Sequence, residues 1–406
     1  MSIKFRLIIM NFLQYAIWGA WLISLGAYLG GGLDFSGRQI GSFFATMGIA
    51  SLFMPAIMGI IADRWVPAQK LLGICHLTAA VLMIAAAPQT AYAPLYSLIL
   101  CSVMFYMPTI SLSNSVAYNA LSKAGLETVK AFPPIRVWGT VGFIVAMIAV
   151  DLLGFARSSM QLYFSAALSI ILGAYAFTLP NCPVAKKVKN QSWIDVMGLR
   201  AFALFKQKKM AVFFLFSMLL GVSLQITNAF GNDYLTNHFG SNPVYAGTFG
   251  VEHANILISL SQMSETLCIL LIPFFLKRFG IKNVMLISMC AWVLRFALLG
   301  AGNPGNGVWM LILSMLVYGV AFDFFNISGS LYVDKETDHS IRSSAQGVFM
   351  IMTNGFGAFF GSYAAGEVVD RMGWPASWFV FAGYAIVVTI LFAVIFKYKH
   401  DPKAVI

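Results

Sequence analysis

The chain is predicted to be an all-α integral membrane protein, with twelve transmembrane helices arranged as two six-helix bundles. Three observations lead there. Hydrophobic residues make up 59% of the 406 positions and charged residues only 10%. Twelve apolar stretches recur along the chain, each close to the ~20 residues that a helix needs to cross a bilayer. A basic stretch near mid-chain divides them six and six. A soluble protein of this length could not hide so much apolar surface, whereas a polytopic membrane protein exposes it to lipid.

In order, the spans fall at 7–29, 38–62, 68–87, 92–119, 132–153, 159–179, 209–235, 250–276, 281–301, 307–333, 341–366 and 374–396. The first follows only Met1–Arg6 and has no small-residue cleavage site behind it, so it reads as a retained signal anchor. The second ends on Gly59-Ile-Ile-Ala-Asp-Arg-Trp, the third carries His76, and the fourth closes on Tyr118 and Asn119. Pro133 and Pro134 open the fifth, where a missing amide hydrogen costs little. After the sixth comes a Pro- and Lys-rich break. Within it Trp193, Val196, Met197, Leu199, Phe202 and Phe205 share one side of a predicted surface helix on the inner leaflet. The seventh to tenth spans carry most of the buried polar residues, and the eleventh opens on Ile341-Arg342 as the fifth does on Ile135-Arg136. Trp374 and Trp378 place an aromatic belt near the outer end of the twelfth. The domain organisation that follows is a first bundle at 1–179, a cytoplasmic linker at 180–208 and a second bundle at 209–406.

Lysine and arginine orient the chain. With the N-terminus inside, Lys4, Arg6, Arg64, Lys123, Lys277, Arg278, Arg342 and Lys397 all become cytoplasmic, as do the linker's Lys186, Lys187, Lys189, Arg200 and Lys206. Outside remain Arg38, Arg157 and Arg371. Both termini are therefore expected in the cytoplasm, in the inner membrane. The net charge of +11 is thus a topology signal and excludes a nucleic-acid partner as its explanation. The cysteines, Cys75, Cys101, Cys182, Cys268 and Cys290, are scattered without metal-ligand spacing and read as small apolar fillers. No nucleophile triad, metal cluster or phosphate loop is present. The expectation is a non-enzyme without catalytic residues, metal or cofactor.

Ionisable residues inside a span cost roughly 2.5–3.5 kcal/mol on insertion scales and are functional candidates by default. Four qualify: Arg136, Glu265, Arg295 and Asp323. Arg136, Thr140 and Phe143 share one face of the fifth span. Gln225 and Asn228 are three apart in the seventh, and Gln262 and Glu265 repeat that spacing in the eighth. Tyr318, Phe322 and Asn326 step along one face of the tenth, with Asp323 turned aside. Amides both donate and accept hydrogen bonds, and aromatic faces stack on flat rings. Together they suit a neutral, planar, polyhydroxylated solute, such as a sugar joined to a base. Gln14, Trp18 and Trp21 share a face of the first span and serve either the cavity wall or packing. No carboxylate lies deep in the first six spans, so direct proton coupling would rest on Glu265 or Asp323, with Arg136 or Arg295 available to pair Asp323.

The six-and-six halves and the Gly-x-x-x-Asp-Arg turn after the second span resemble the major facilitator superfamily. Longer strings resemble one family within it, the nucleoside–proton symporters. They include Phe132-Pro-Pro-Ile-Arg-Val-Trp-Gly-Thr-Val-Gly-Phe, Leu224-Gln-Ile-Thr-Asn, Ala291-Trp-Val-Leu-Arg-Phe-Ala-Leu, and Tyr318-Gly-Val-Ala-Phe-Asp-Phe-Phe-Asn-Ile-Ser-Gly-Ser. The resemblance runs from Phe12 to Lys399. It implies the major facilitator fold and proton-coupled uptake of nucleosides of the uridine, thymidine and adenosine type by a monomer. It also implies that Arg136, Thr140, Phe143, Gln225, Asn228, Gln262, Glu265, Tyr318, Phe322 and Asp323 line the cavity. The rival expectations are a proton-coupled sugar or oligosaccharide symporter and a nucleoside uniporter.

Overall fold

In the computed structural model, which describes residues 2–184, 199–338 and 341–398, every regular element is helical. The first half supplies α1 (Ile3–Gly19), α2 (Gly37–Arg64), α3 (Ala68–Ala86), α4 (Tyr92–Lys123), α5 (Thr128–Leu152) and α6 (Met160–Ala176). The second supplies α7 (Lys208–Asp233), α8 and α9 within the continuous run Ala254–Ala301, α10 (Val308–Glu336), α11 (342–372) and α12 (Ala376–Ile395). Among the described residues nine helices are long and apolar enough to span a bilayer. The 48-residue run Ala254–Ala301 is two spans joined at Gly280, whose φ of 76° breaks the helical path. A side chain in that left-handed region clashes with the following carbonyl, so glycine is what permits the turn. With the 17-residue α1 and α6, the crossings among the described residues come to twelve.

Three places depart from regular helix. Wider π-helical turns follow α1 at Tyr28–Gly32 and α7 at Tyr234–His238, and a third interrupts α11 at Ile351–Gly357. Such turns recur at functional sites because they leave backbone groups partly unspent. Of the expected linker helix, residues 185–198 lie outside the described residues, and the remainder, Leu199–Lys206, forms a 3-10 helix. Asp63 and Arg64 are exposed.

The chain divides into two units, Met1–Phe35 with Thr46–Met197, and Ser36–Ala45 with Gly198–Ile406. In the first unit α1 packs on α5 and α6, and α3 on α4 and α6. Small residues let membrane helices approach closely where no hydrophobic effect drives them together. The α1–α5 contact depends on this in both directions. A Cβ on Gly142 would sit 2.1 Å from the Phe12 carbonyl oxygen, and one on Gly19 would sit 2.3 Å from that of Phe143.

In the second unit α10 packs against α8 and α9, α12 against α9, and α7 against α11. Close approach recurs at Gly319, where a Cβ would lie 2.5 Å from the Ser264 carbonyl, and at Gly221, 2.1 Å from that of Thr353. The first residues of α2 belong to this unit as well. The Asp370 carboxylate accepts from the backbone N–H groups of Gly37 (2.6 Å) and Arg38 (2.8 Å), capping α2. Glu367 accepts from the Nε atoms of Arg38 (2.8 Å) and Arg371 (2.5 Å).

Candidate solute-binding site

In the first unit, the α1–α5 contact brings Phe143 edge-on to Trp18, with centroids 6.4 Å apart at 86°. Trp18 also lies 5.9 Å from Tyr106. One turn and more along α5, the Arg136 guanidinium covers the Tyr15 ring, its Cζ 3.8 Å from the centroid, a cation–π contact. Thr140 is half-buried between them in sequence, on the same helix.

Behind this wall runs a fully buried polar chain. Gln14 Nε2 donates to Thr109 Oγ1 (2.7 Å), and Gln14 Oε1 pairs with His76 Nε2 (2.9 Å). His76 Nδ1 lies 3.2 Å from Ser169 Oγ, and Tyr106 donates its hydroxyl to the Gln14 carbonyl (2.6 Å). His76 is therefore a hydrogen-bonded core residue, and Gln14 serves packing. Trp21 is fully buried. Of Gln14, Trp18 and Trp21, Trp18 is the one with a ring contact to a candidate site residue among the described residues.

The second unit gathers more. Tyr318 and Phe322 stack at 5.8 Å and 8°. Gln262 is in hydrogen-bond reach of the Tyr318 hydroxyl, and Glu265 acts electrostatically on both Tyr318 and Asp323. Asp323 is only 4% exposed, and its Oδ2 has no hydrogen-bond partner. A cleft along α10 takes in Phe322, Asn326 and, from other helices, Leu224, Trp292, Thr353 and Asn354. On α7, Gln225 is buried with an unpartnered Oε1, and Asn228 is half-buried. Neither lines that cleft, although Leu224 beside them does. The helices thus bring together Gln262, Glu265, Tyr318, Phe322, Asp323 and Asn326 from α8 and α10.

One expectation needs correcting. Arg295 does not pair Asp323 among the described residues. Its Nη1 donates to the Ser314 carbonyl (2.6 Å) and reaches Ser261 Oγ (3.5 Å), while its Cζ lies 4.7 Å from the Tyr318 centroid. Ser314 precedes Asp323 by nine residues, about 13 Å along a helix at 1.5 Å per residue. The guanidinium is anchored too far up α10 to reach the carboxylate. Arg136, the other proposed partner, belongs to the first unit and lies over Tyr15.

Two buried groups escape a reading of the sequence. Trp292 reads as one more apolar residue of its span, three positions before Arg295, yet its ring meets Tyr318 edge-on at 6.0 Å and 89°. Asp233 closes α7, two residues short of the end of the seventh span, where a carboxylate reads as interfacial. It is instead buried, its Oδ1 accepting from Asn237 Nδ2 at 2.6 Å.

Comparison with known proteins shows which family the chain belongs to. The chain matches the profile of the nucleoside H+ symporter family over residues 1–401. It is 52% identical over 407 residues to the nucleoside permease NupG of Escherichia coli (strain K12), covering 98% of this chain and 97% of that one. It is also 52% identical over 412 residues to the xanthosine permease of the same organism, covering 100% and 98%. The crystal structure of nucleoside transporter NupG superposes with a TM-score of 0.92 at 51% identity, over 98% of this chain and 100% of that one.

Proposed function

Because the chain belongs to the nucleoside H+ symporter family, we propose that it imports nucleosides of the uridine, thymidine and adenosine type together with protons, as a monomer. It is a multi-pass membrane transporter with the major facilitator fold. Its place is the inner membrane with both termini cytoplasmic, supported by the lysines and arginines that gather on one side. The two bundles at 1–179 and 209–406, joined by the linker at 180–208, alternate access to the solute.

The observation that carries the solute class is the stacked pair Tyr318–Phe322, of which Phe322 lines a cleft with Asn326 one turn on, while the charges of Glu265 and Asp323 act on Tyr318. A flat base suits the aromatic face, and amides satisfy base edges and ribose hydroxyls. Arg136, Thr140 and Phe143 contribute from the first bundle, and Gln225, Asn228 and Gln262 complete the hydrogen bonding. Asp323, with no cation on it and the charge of Glu265 acting on it, makes the two carboxylates the seat of the co-transported proton. Interacting carboxylates titrate as a pair.

Radiolabelled uridine uptake into proteoliposomes tests this reading. Uptake should rise when the outside is acidified, and excess thymidine or adenosine should compete while galactosides do not. Uptake indifferent to the gradient would leave a uniporter, and competition by galactosides alone would leave a sugar symporter. Phe322→Ala should weaken uridine binding about tenfold or more, since base–aromatic stacking is worth roughly 1–3 kcal/mol per base. Calorimetric titration of the purified variant would show it, and an unchanged affinity would remove Phe322 from the site.

A further inference from the structure

Trp292, on α9, is 1% exposed and forms part of the cleft wall with Phe322 and Asn326. Its indole Nε1 is buried without any hydrogen-bond partner. Buried donors are nearly always paired, and leaving one unmade costs a protein stability. The cleft holds further unspent capacity. The Asn326 side chain makes no hydrogen bond among the described residues, and the Asn354 amide reaches only Met350 Sδ, at 3.9 Å. Thr353 spends its hydroxyl hydrogen on the Phe349 carbonyl (3.0 Å), leaving its oxygen able to accept. The remaining walls, Leu220, Leu224 and Phe325, are apolar. A concave, mostly apolar cleft with a few polar groups left open has the make-up of a ligand subsite.

We infer that Trp292 is a specificity-determining residue, donating its indole N–H to an acceptor atom of the nucleobase stacked on Phe322, a carbonyl oxygen in uridine and thymidine and a ring nitrogen in adenosine. The inference rests on the nucleoside reading above and deepens it. An indole N–H can only donate, so it selects an acceptor on the solute. Among aromatic and aliphatic walls, the part of the solute that fits is the flat base, whose outward acceptors include its carbonyls. The ribose hydroxyls, which both donate and accept, match the amides of Asn326 and Asn354. A site built to hydrogen-bond one group of a substrate rejects an analogue lacking it, so Trp292 discriminates between bases that present an acceptor at that point and those that do not.

The test compares three ligands on the purified full-length protein by calorimetry: uridine, and two analogues that each lack one of the base carbonyls. Position 292 carries tryptophan, then β-(3-benzothienyl)alanine, which keeps the ring shape and replaces N–H by sulfur. Trp292→Phe serves as the second variant. The expected result is a loss of tenfold or more for uridine in both variants, with the affinity for one analogue changed less than twofold. Equal losses for all three ligands would mean that the ring packs against Tyr318 and donates nothing to the base, and no loss at all would equally overturn the inference. If the unmodified protein binds none of the three, the nucleoside reading itself fails and the inference with it. Binding by the parent with no ligand-selective loss sinks the inference alone.

Discussion

Replacing Glu265 by glutamine is expected to abolish pH-driven accumulation of uridine while leaving binding within a few-fold of the parent. Glutamine keeps the size of the side chain and its capacity to hydrogen-bond, but it cannot give up and regain a proton. Asp323→Asn should behave alike, because Asp323 has no cation on it and its charged neighbour is Glu265. This departs from a structural role for Asp323, which would require the ion pair that Arg295 does not form. Both variants should still exchange internal for external nucleoside, since exchange returns the loaded carrier without releasing the proton. Counterflow and gradient-driven uptake, measured side by side in proteoliposomes, separate these outcomes. Full accumulation by the Glu265→Gln variant would move the proton to Asp323 alone.

Gly142→Val should prevent the first unit from folding. The new Cβ would lie 2.1 Å from the Phe12 carbonyl oxygen and 2.9 Å from its carbonyl carbon, both backbone atoms that cannot swing aside. Helix α1 would have to move away from α5. That also pulls the Gly19–Phe143 contact apart and removes Trp18 from the edge of Phe143. Overpacking ordinarily costs about 1–3 kcal/mol when neighbours can shift. Here two reciprocal backbone contacts fail together, so the loss should exceed about 4 kcal/mol. Fluorescence-detected size-exclusion chromatography of the detergent-extracted protein would show aggregated or absent material. A monodisperse Gly142→Val protein with the parent's melting temperature would refute the close contact.

Much of this architecture can be read from residues alone, for reasons that differ between the helices and the site. Spans are legible because a bilayer demands a long apolar run whatever its neighbours are. The Tyr318, Phe322 and Asn326 face is legible because all three lie on one helix, where spacing fixes direction. Arg295 was misjudged because its partner depends on the axial register between α9 and α10, which neither helix encodes by itself. Trp292 was missed for a related reason. Its signal is an unmet hydrogen bond, and a sequence does not say which donors find acceptors. The π turns at Tyr28–Gly32, Tyr234–His238 and Ile351–Gly357 also leave no periodic trace, since each changes the helical count over a single turn.

Gly280 joins α8 to α9 with no intervening loop. A link of one residue cannot absorb a change in length, so displacement of either helix at that surface is delivered to the other without slack. Glu265 lies on one arm of this hairpin and Trp292 on the other. A proton taken up on the first arm and a base held against the second would therefore push on the same lever. Coupling between cation and cargo then needs no message relayed through a flexible segment, because both loads share one stiff, two-armed part whose fulcrum is a single glycine.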